Sequence, residues 1–404
     1  MAVKFFRMIM ERIFLVFLPK IPIFLLALPF VVLIRLLRPI MCIRLIPVYE
    51  QIGHALGNTE VYLWERRAGL DDAKTFDIFY PLRPWILNGQ VKRMLKRIVP
   101  MYDLVYWLAW ANLEIPGWRP HQYIPPHNSL DVYGFSNDTP PQVSFTSKEE
   151  DRGAALLHDM GIPPGSSIVT FNVRDNAYQK SVMPDLQDGD YALHNFRDAD
   201  INTITPAVKE LVQRGYYVIR MGKVVNKAFG WKHPQVIDYP LSHWRSDFAD
   251  LFLISRSHFY IGNSSGIDDV ARLFRKHRVT VNLVPLRFIA AWSPDYLYIF
   301  KKIWSIREKR FLTFREIVNS PVGCYLDPIW YKKDGLEIVD NTPEEILDVI
   351  LEKEEKLRGV WKTNDEYEDL QQRFWSLFKP DELNKVFKTR IGSKFLYQNR
   401  DLLE

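Results

Sequence analysis

The sequence has few cysteines and little net charge, and each shortage argues against a class of protein. Its 404 residues include only two cysteines, Cys42 and Cys324. They lie far apart and have no Cys or His neighbours at metal-ligand spacing, so neither a disulfide framework nor a zinc site is expected and a reducing cytosolic setting fits. The net charge of +5 is too small and too scattered to predict a nucleic-acid partner.

The common motifs for dinucleotides, nucleoside triphosphates and serine nucleophiles are also missing. No G-x-G-x-x-G opens a helix after a strand, and there is no Walker loop. Neither Ser264 nor Ser265 lies in a G-x-S-x-G elbow, which argues against a hydrolase. What is present is 47% hydrophobic and 25% charged residues, the composition of a folded chain with room for two domains.

The N terminus carries a hydrophobic segment that is short for a membrane span. Its uncharged run, residues 21–34, comprises 14 residues and would reach about 21 Å as a helix, against a hydrocarbon core of about 30 Å. The preceding residues separate charged from apolar positions, an interfacial pattern. Three arginines follow the run and are expected to face the anionic lipids of the cytoplasmic surface: Arg35, Arg38 and Arg44. We interpret residues 1–43 as a monotopic or re-entrant anchor at the cytoplasmic face of the plasma membrane, with a single span as the alternative.

The remaining chain predicts an α/β fold in two lobes. Residues 44–145 contain a strand, a helix capped at Asn58 or Thr59, a second strand, further helix and an irregular Pro-rich segment. A capping box, Thr146 with Glu149, opens the larger lobe at residues 146–404. There, short apolar strands alternate with helices, a pattern that predicts a mostly parallel sheet with helices on both faces.

Three strand ends in the larger lobe carry polar residues. Arg174 and Asp175 follow the strand "SIVTFNV", and Arg220 ends "YYVIR" just before Gly222. The third strand runs into the turn Gly262–Gly266, sequence "GNSSG". Because ligands of open parallel sheets bind beyond the carboxyl ends of the strands, these residues form a candidate anion site. The turn has two interpretations. It is either a phosphate-binding loop or an ordinary tight turn followed by a helix in which Asp268 and Asp269, in the first turn, suit the helix dipole.

Several segments, in order and spacing, resemble a family of bacterial glycosyltransferases encoded with surface-polysaccharide genes. They are "IGHALGNTEVYL", "VRDNAY", "LHNFRDADINTITPAVKELVQRGYYVIRMG", "DLFLISRSHFYIGNSSGIDDVARLF" and "FLTFREI". The family is distantly similar to fucosyltransferase-like enzymes of the GT-B architecture. The resemblance implies two Rossmann-like lobes with a cleft between them, and a hexosyl or deoxyhexosyl donor linked to a nucleotide diphosphate. The acceptor would be a growing glycan or a lipid-linked sugar, and no cofactor would be needed.

The resemblance also implies residue roles. The donor-binding residues would be Arg174, Arg197, Asp200, Arg220, Gly222, Asn263, Ser264, Ser265 and Gly266. Asp198 stands where the family pattern suggests asparagine. His54 is the candidate base for the acceptor hydroxyl, because imidazole titrates in the useful range; Asp175 and Glu60 are rivals.

Two other functions compete with this one. A metal-dependent GT-A enzyme would use an Asp-x-Asp triplet, as at Asp188–Asp190 or Asp198–Asp200, whereas a GT-B enzyme uses arginines and helix N-termini in place of a metal. A non-catalytic membrane scaffold or nucleotide-sugar sensor on a transferase fold is the second alternative.

Overall fold

A computed structural model describes residues 20–71, 74–83, 87–123, 130–182, 192–380 and 385–404. The chain divides into two compact units, Met1–Asn128 and Ser129–Glu404. The lobe boundary predicted from sequence, at residues 145 and 146, lies later in the chain than this division. The Asp188–Asp190 triplet and the first part of the predicted anchor, residues 1–19, lie outside the described residues.

The N-terminal unit is built on two parallel strands with helices around them. Strands β1 and β2 pair with Leu45 opposite Ile78. In chain order the elements are α1 (Ile21–Leu37), β1 (Cys42–Val48), α2 (Ile52–Arg67), β2 (Thr75–Pro81), α3 (Gly89–Leu95) and α4 (Val105–Leu113). In the described part of the unit the sheet therefore has fewer strands than the Rossmann-like lobe that the resemblance implied.

Helix α2 begins earlier than its polar residues suggested. Its N-cap is Gln51, in extended backbone, and Asn58 and Thr59 lie inside the helix, where both are buried. The predicted capping by these two residues is therefore wrong, and the Thr59 hydroxyl instead donates to the carbonyl of Ala55 (2.7 Å).

Helix α1 packs against α4, with Ala27, Val31 and Ile34 buried. It has 17 residues and contains Pro29. Among the described residues, no helix combines the length and the apolar character that crossing a bilayer demands.

The C-terminal unit is organised by a seven-stranded sheet in which every pairing is parallel, as the strand–helix alternation predicted. The strand order is β12-β8-β7-β6-β3-β4-β5. Its strands are β3 (Ile168–Phe171), β4 (Tyr217–Arg220), β5 (Val236–Asp238), β6 (Phe259–Gly262), β7 (His277–Leu283), β8 (Tyr296–Phe300) and β12 (Arg390–Ile391). Strands β3, β6 and β8 are fully buried, which explains their continuous apolar sequences.

Helices and a small antiparallel sheet surround this core. The sheet has the order β10-β9-β11 and consists of β9 (Lys302–Ser305), β10 (Arg310–Phe311) and β11 (Leu336–Val339). The helices are α5 (Ser147–Asp159), α6 (Ala177–Val182), α7 (Thr205–Gln213), α8 (Asp247–Arg256), α9 (Asp268–Leu273), α10 (Phe314–Val318), α11 (Pro328–Lys333), α12 (Pro343–Leu357), α13 (Asp365–Ser376) and α14 (Ser393–Gln398).

Capping residues fix where several of these helices start. The predicted box of Thr146 and Glu149 is confirmed at α5, and Thr342 with Glu345 forms another at α12. Although its sequence is charged, α12 is not a simple surface helix, because it buries a polar run at Glu352–Glu354. Caps and parallel strands together place the carboxyl ends of β3, β4 and β6 side by side at one edge of the sheet.

Candidate functional site

Asn263 joins two of the strand ends that the sequence singled out. It follows β6 and is fully buried. Its side-chain oxygen accepts from the backbone N–H of Arg174 (2.8 Å), and its side-chain nitrogen donates to the carbonyl of Arg197 (3.2 Å). One amide side chain therefore holds together the end of β3 and the short 3-10 helix Ala192–Arg197.

Arg174 lies at the centre of this assembly. Its guanidinium pairs with the carboxylate of Asp198 and donates to the carbonyl of His194 (2.9 Å). Burial lowers the pKa of Arg174, and the carboxylates of Asp198 and Asp175 oppose that shift. Burial likewise raises the pKa of Asp198 to about 6, while Arg174 acts in the opposite direction. The pair is therefore poorly hydrated, and its charges are sensitive to what lies beside them.

Arg197 contributes a second buried cation. Burial, together with the nearby charge of Arg174, lowers the pKa of Arg197 to about 10. Within the described residues, its buried Nε has no hydrogen-bond partner, and its Nη1 lies 3.5 Å from the carbonyl oxygen of Ser264. A partly buried guanidinium with this little compensation favours an anionic ligand.

His194 stands beside the two arginines as a neutral group. Burial is the main cause that lowers its pKa to about 4, and the positive charges of Arg197 and Arg174 add to it. The imidazole is therefore uncharged at neutral pH. One of its ring nitrogens can then donate a hydrogen bond, and the other can accept one. His194 lies in the motif "LHNFRD", but nothing in the motif distinguished it before the geometry was known.

Lys301 is a further cation at a strand end, and the sequence analysis missed it. It directly follows β8, is buried, and its Nζ donates to the carbonyl of Asp198 (2.6 Å) and to the Asp340 carboxylate (2.7 Å). Burial lowers its pKa, against the effect of Asp340. Applying the strand-end rule to "YLYIFK" would have found it, because the lysine comes immediately after an apolar strand.

The turn after β6 already holds a carboxylate. The backbone N–H groups of Ser264 (3.1 Å) and Ser265 (3.3 Å) donate to one oxygen of Asp268, and the Ser265 hydroxyl (3.0 Å) donates to the other. Burial raises the pKa of Asp268, and Tyr260 donates to it as well (2.8 Å). Asp268 therefore lies in the first turn of α9, as the tight-turn interpretation expected, but it does not cap the helix, whose N-cap is Ile267 without a side-chain hydrogen bond. The amides of Ser264 and Ser265 are taken up by the chain itself.

The residues of this turn also differ in backbone conformation and in exposure. Ser264 adopts a left-handed conformation with φ of 64°, whereas Gly266 is exposed. The Ser265 hydroxyl oxygen is also 3.0 Å from the side-chain oxygen of Asn172, so its single proton is shared between Asp268 and a residue that follows β3.

Arg220 lies in the same row of strand ends, but its side chain points into the protein. It is 1% exposed and donates to the carbonyl of Lys227 (2.6 Å) and to Asp238 (3.2 Å). These contacts hold the loop that begins with Gly222, whose φ is 153°. The structure therefore gives Arg220 a loop-supporting position, and its contact with a donor stays a prediction.

Asp175 and Asp200 are both engaged with nearby backbone. The two oxygens of Asp175 accept from the N–H groups of Ala177 and Asn226, each at 2.9 Å. Asp200 caps the 3-10 helix Ile201–Ile204 by accepting from Asn202 N (3.2 Å). Across the described part of the chain, no group of three or more His, Cys, Asp or Glu side chains is arranged for a metal ion.

His54 and Glu60 belong to the N-terminal unit, and their roles as acceptor-side bases stay predictions. His54 lies in the first turn of α2, not in a loop, and its ring is 6.1 Å from that of Tyr49. Glu60 is buried in the middle of the same helix.

The structure has distant similarity to several solved structures, whereas comparison of the sequence with known proteins found no match. The ADP-heptose LPS heptosyltransferase II of E. coli is 12% identical, with 77% of this chain and 99% of that chain covered and a TM-score of 0.42. A glycosyl transferase family 9 structure from Veillonella parvula is 10% identical, with 59% and 79% covered and a TM-score of 0.35. The iron-containing dodecameric glycosyltransferase TibC of enterotoxigenic E. coli is 14% identical, with 60% and 59% covered and a TM-score of 0.31.

None of these three is described as a fucosyltransferase, the distant relationship that the sequence resemblance implied. No protein-family model matches the chain, and no curated protein matches it. Identities and TM-scores at this level decide neither the fold nor the activity of this chain.

Proposed function

We propose that this protein is a glycosyltransferase whose C-terminal unit binds the diphosphate of a nucleotide sugar beside Arg174 and Arg197. The observation that carries the proposal is the convergence of these two cations, with neutral His194, at the carboxyl ends of parallel strands. A diphosphate would supply negative charge and hydrogen-bond acceptors to the Arg197 guanidinium, whose Nε has no partner within the described residues. An arginine can bind a diphosphate with two parallel hydrogen bonds.

The same groups explain how a sugar–phosphate bond would break without a metal. Negative charge develops on the diphosphate as the sugar leaves, and fixed cations in a poorly hydrated site stabilise that charge. Arg174 and Arg197 would contact the diphosphate, and Lys301 would hold the Asp198 segment in place through its bond to the backbone. We propose a metal-independent reaction of the GT-B type, with a hexosyl or deoxyhexosyl donor.

The residue that we assign to the acceptor belongs to the N-terminal unit. We propose that His54 takes the proton from the acceptor hydroxyl, and that the acceptor is a growing surface glycan or a lipid-linked sugar. Such an acceptor is presented at the cytoplasmic face of the membrane, where we place the enzyme.

Calorimetry with UDP, GDP and ADP, each compared with its nucleoside, tests the donor site. Arg174→Ala and Arg197→Ala should each weaken diphosphate binding about tenfold or more, because each removes a charge-assisted contact of ~1.5–3 kcal/mol. Binding of the nucleoside should stay the same. Arg256→Ala is the matched control, since Arg256 lies on the surface in a pair with Glu150. Equal losses for nucleoside and diphosphate would refute the assigned role.

Turnover is tested separately, by release of nucleoside diphosphate from a mixture of nucleotide sugars with a bacterial lipid extract. Release that depends on the extract and is lost in Arg174→Ala supports a transferase. Tight diphosphate binding with no release under any donor would favour the sensor alternative.

A further inference from the structure

One half of helix α1 is apolar and open to solvent. Six large side chains on it are between 49% and 73% exposed: Ile21, Leu25, Leu26, Phe30, Leu33 and Leu36. At 100° per residue, their spacing places all of them on the same half of the helix circumference. A contiguous apolar surface of this kind marks an interaction site on a folded protein.

The other half of the helix is fixed to the N-terminal unit. Ala27, Val31 and Ile34 are buried against α4. Arg35 adds hydrogen bonds to the side chain of Asn112 (2.9 and 3.1 Å) and to the carbonyls of Ile115 (3.0 Å) and Pro116 (2.7 Å). Helix α1 therefore cannot turn its apolar half inward without breaking these contacts.

We propose that α1 lies in the plane of a bilayer with this exposed half in the interfacial region, as a monotopic helix docked on α4. The surface exists whatever the catalytic function proves to be, and only the lipid-linked acceptor connects it to the proposed function. This decides between the two anchors that the sequence left open. A single span would be surrounded by lipid if the rest of its unit stayed outside the bilayer, whereas α1 is covered on one half by its own unit.

Charge favours an anionic lipid surface as the occupant. Between residues 20 and 41 the chain has three cations, Lys20, Arg35 and Arg38, and no Asp or Glu. Arg35 is used inside the unit, and so is Arg44, which pairs with Asp71 and Asp77. Lys20 and Arg38 remain, at the two ends of the helix, for lipid headgroups.

A second copy of the chain is the less favourable occupant. A twofold contact between two α1 helices would bring Lys20 to the Lys20 of the partner when parallel, or to its Arg38 when antiparallel. Either arrangement places like charges together. A lipid surface presents the opposite charge instead.

Aromatic rings beside the helix suit the interface as well. The Trp110 ring contacts Phe24 (6.0 Å between centroids) and stacks under the Lys20 ammonium group (5.7 Å). Trp107 is next to it, at 6.2 Å. Tryptophan prefers the headgroup level, where its apolar ring and its N–H are both accommodated.

Vesicle flotation of the full chain tests whether this face binds. We expect binding to vesicles of phosphatidylcholine with phosphatidylglycerol, and a fall of about tenfold or more in the bound-to-free ratio for Leu26→Glu/Leu33→Glu. The matched control is Leu241→Glu/Leu326→Glu, which adds the same charge at leucines that are 59% and 51% exposed in the C-terminal unit. Equal binding by the two double variants would overturn the proposal, including in the case where residues 1–19 alone attach the protein.

The depth of α1 is tested with environment-sensitive fluorophores on cysteines placed at Leu25 or Leu36, with Cys42 and Cys324 replaced by serine. These positions would differ by about 16 Å in depth in a spanning helix and would be at similar depth in an in-plane one. Equal quenching by a shallow lipid quencher supports the proposal. The proposal would be overturned if the two fluorophores lay at unequal depths, or if either of them stayed in water. It would also be overturned if the fluorophores became buried in a dimer of the protein before vesicles were added.

Calorimetry with UDP on Leu26→Glu/Leu33→Glu separates this inference from the proposed function. Unchanged nucleotide binding with lost flotation supports the membrane surface alone. If Arg174→Ala loses nucleotide binding but still floats with vesicles, the result supports the donor site and leaves the membrane-surface proposal unchanged.

Discussion

The guanidinium of Arg174 and the carboxylate of Asp198 are ion-paired at the end of β3, with side chains that are 12% and 23% exposed. The pair occupies the position where we place the donor diphosphate. A ligand that uses the Arg174 guanidinium must therefore compete with a carboxylate that the protein itself supplies. Two of our predictions follow from this competition.

Asp198→Asn should strengthen binding of nucleoside diphosphates. The substitution keeps the shape of the side chain and removes the negative charge that repels the ligand and neutralises Arg174. We expect a gain of about tenfold, or about 1.4 kcal/mol, in calorimetric affinity for UDP or GDP. Asp159→Asn is the control, because Asp159 lies at the end of α5 with a side chain that is 69% exposed. Weaker binding in Asp198→Asn would show that the carboxylate positions Arg174 for the ligand.

The advantage of Asp198→Asn should disappear in acid. Burial raises the pKa of Asp198 from 3.8 to about 6, so in the folded protein the carboxyl group becomes neutral as the pH falls through about 6. For the same reason its contribution to stability is full below 3.8 and is lost as the pH rises through about 6.

Calorimetry of both proteins from pH 5 to pH 8 checks this dependence, with the titration range chosen about the shifted pKa. The ligand's own phosphate titration affects both proteins equally and cancels in the ratio of their affinities. The ratio should approach one below about pH 6. A ratio that is constant with pH would contradict the assignment.

Gly153→Ala should destabilise the C-terminal unit. A Cβ at this position would lie 1.9 Å from Cζ of Phe252, in the contact between α5 and α8. Alanine gains about 1 kcal/mol of helix propensity over glycine, but the overlap with a buried ring is larger, and we expect a net loss of ~1–3 kcal/mol in the free energy of unfolding. Denaturant titration measures it. In a Phe252→Leu background the same substitution should cost less, and an equal cost would place the strain elsewhere.

Asp77→Asn should destabilise the N-terminal unit. Asp77 is buried and accepts from Nε (2.7 Å) and Nη2 (2.9 Å) of Arg44, and it also contacts Arg66 and Tyr62. Removing its charge leaves a buried arginine with less compensation, which costs ~3–5 kcal/mol in comparable cases.

Asp103→Asn is the matched control for that substitution. Its carboxylate pairs with Lys92 at 2.7 Å but its side chain is 45% exposed, so a change of ~0–1 kcal/mol is expected. Thermal unfolding of both variants gives the comparison. Similar effects would show that burial of the Asp77 cluster does not matter for stability.

The sheet could be predicted from the sequence because its determinants are local. Apolar strands such as Phe259–Gly262, capping boxes such as Thr146 with Glu149, and glycines at helix ends act within a few residues. The closeness of Arg174 to the turn after β6 could also be expected, since strand order brings carboxyl ends together. Arg197 lies in a 3-10 helix, so strand order did not predict its position, and only the family resemblance pointed to it.

The features that escaped prediction depend on partners distant in sequence or on competition between local ones. Arg44 was assigned to a lipid surface, but Asp77, on the neighbouring strand, takes it into a buried pair. The start of α2 was placed too late because polar residues inside a helix look like caps when burial is unknown. Lys301 is brought to the site by a strand that is third along the sheet from β3.

The carboxylate of Asp268, bonded to the Ser264 and Ser265 amides, acts as a tethered counter-ion. A turn with the same amides unoccupied would be open to small anions from solution. Because Asp268 is part of the chain, we expect the shape of the turn not to depend on the salt in solution. The conformational entropy of the turn is therefore lost when the chain folds, and a ligand that binds there does not have to order the turn again.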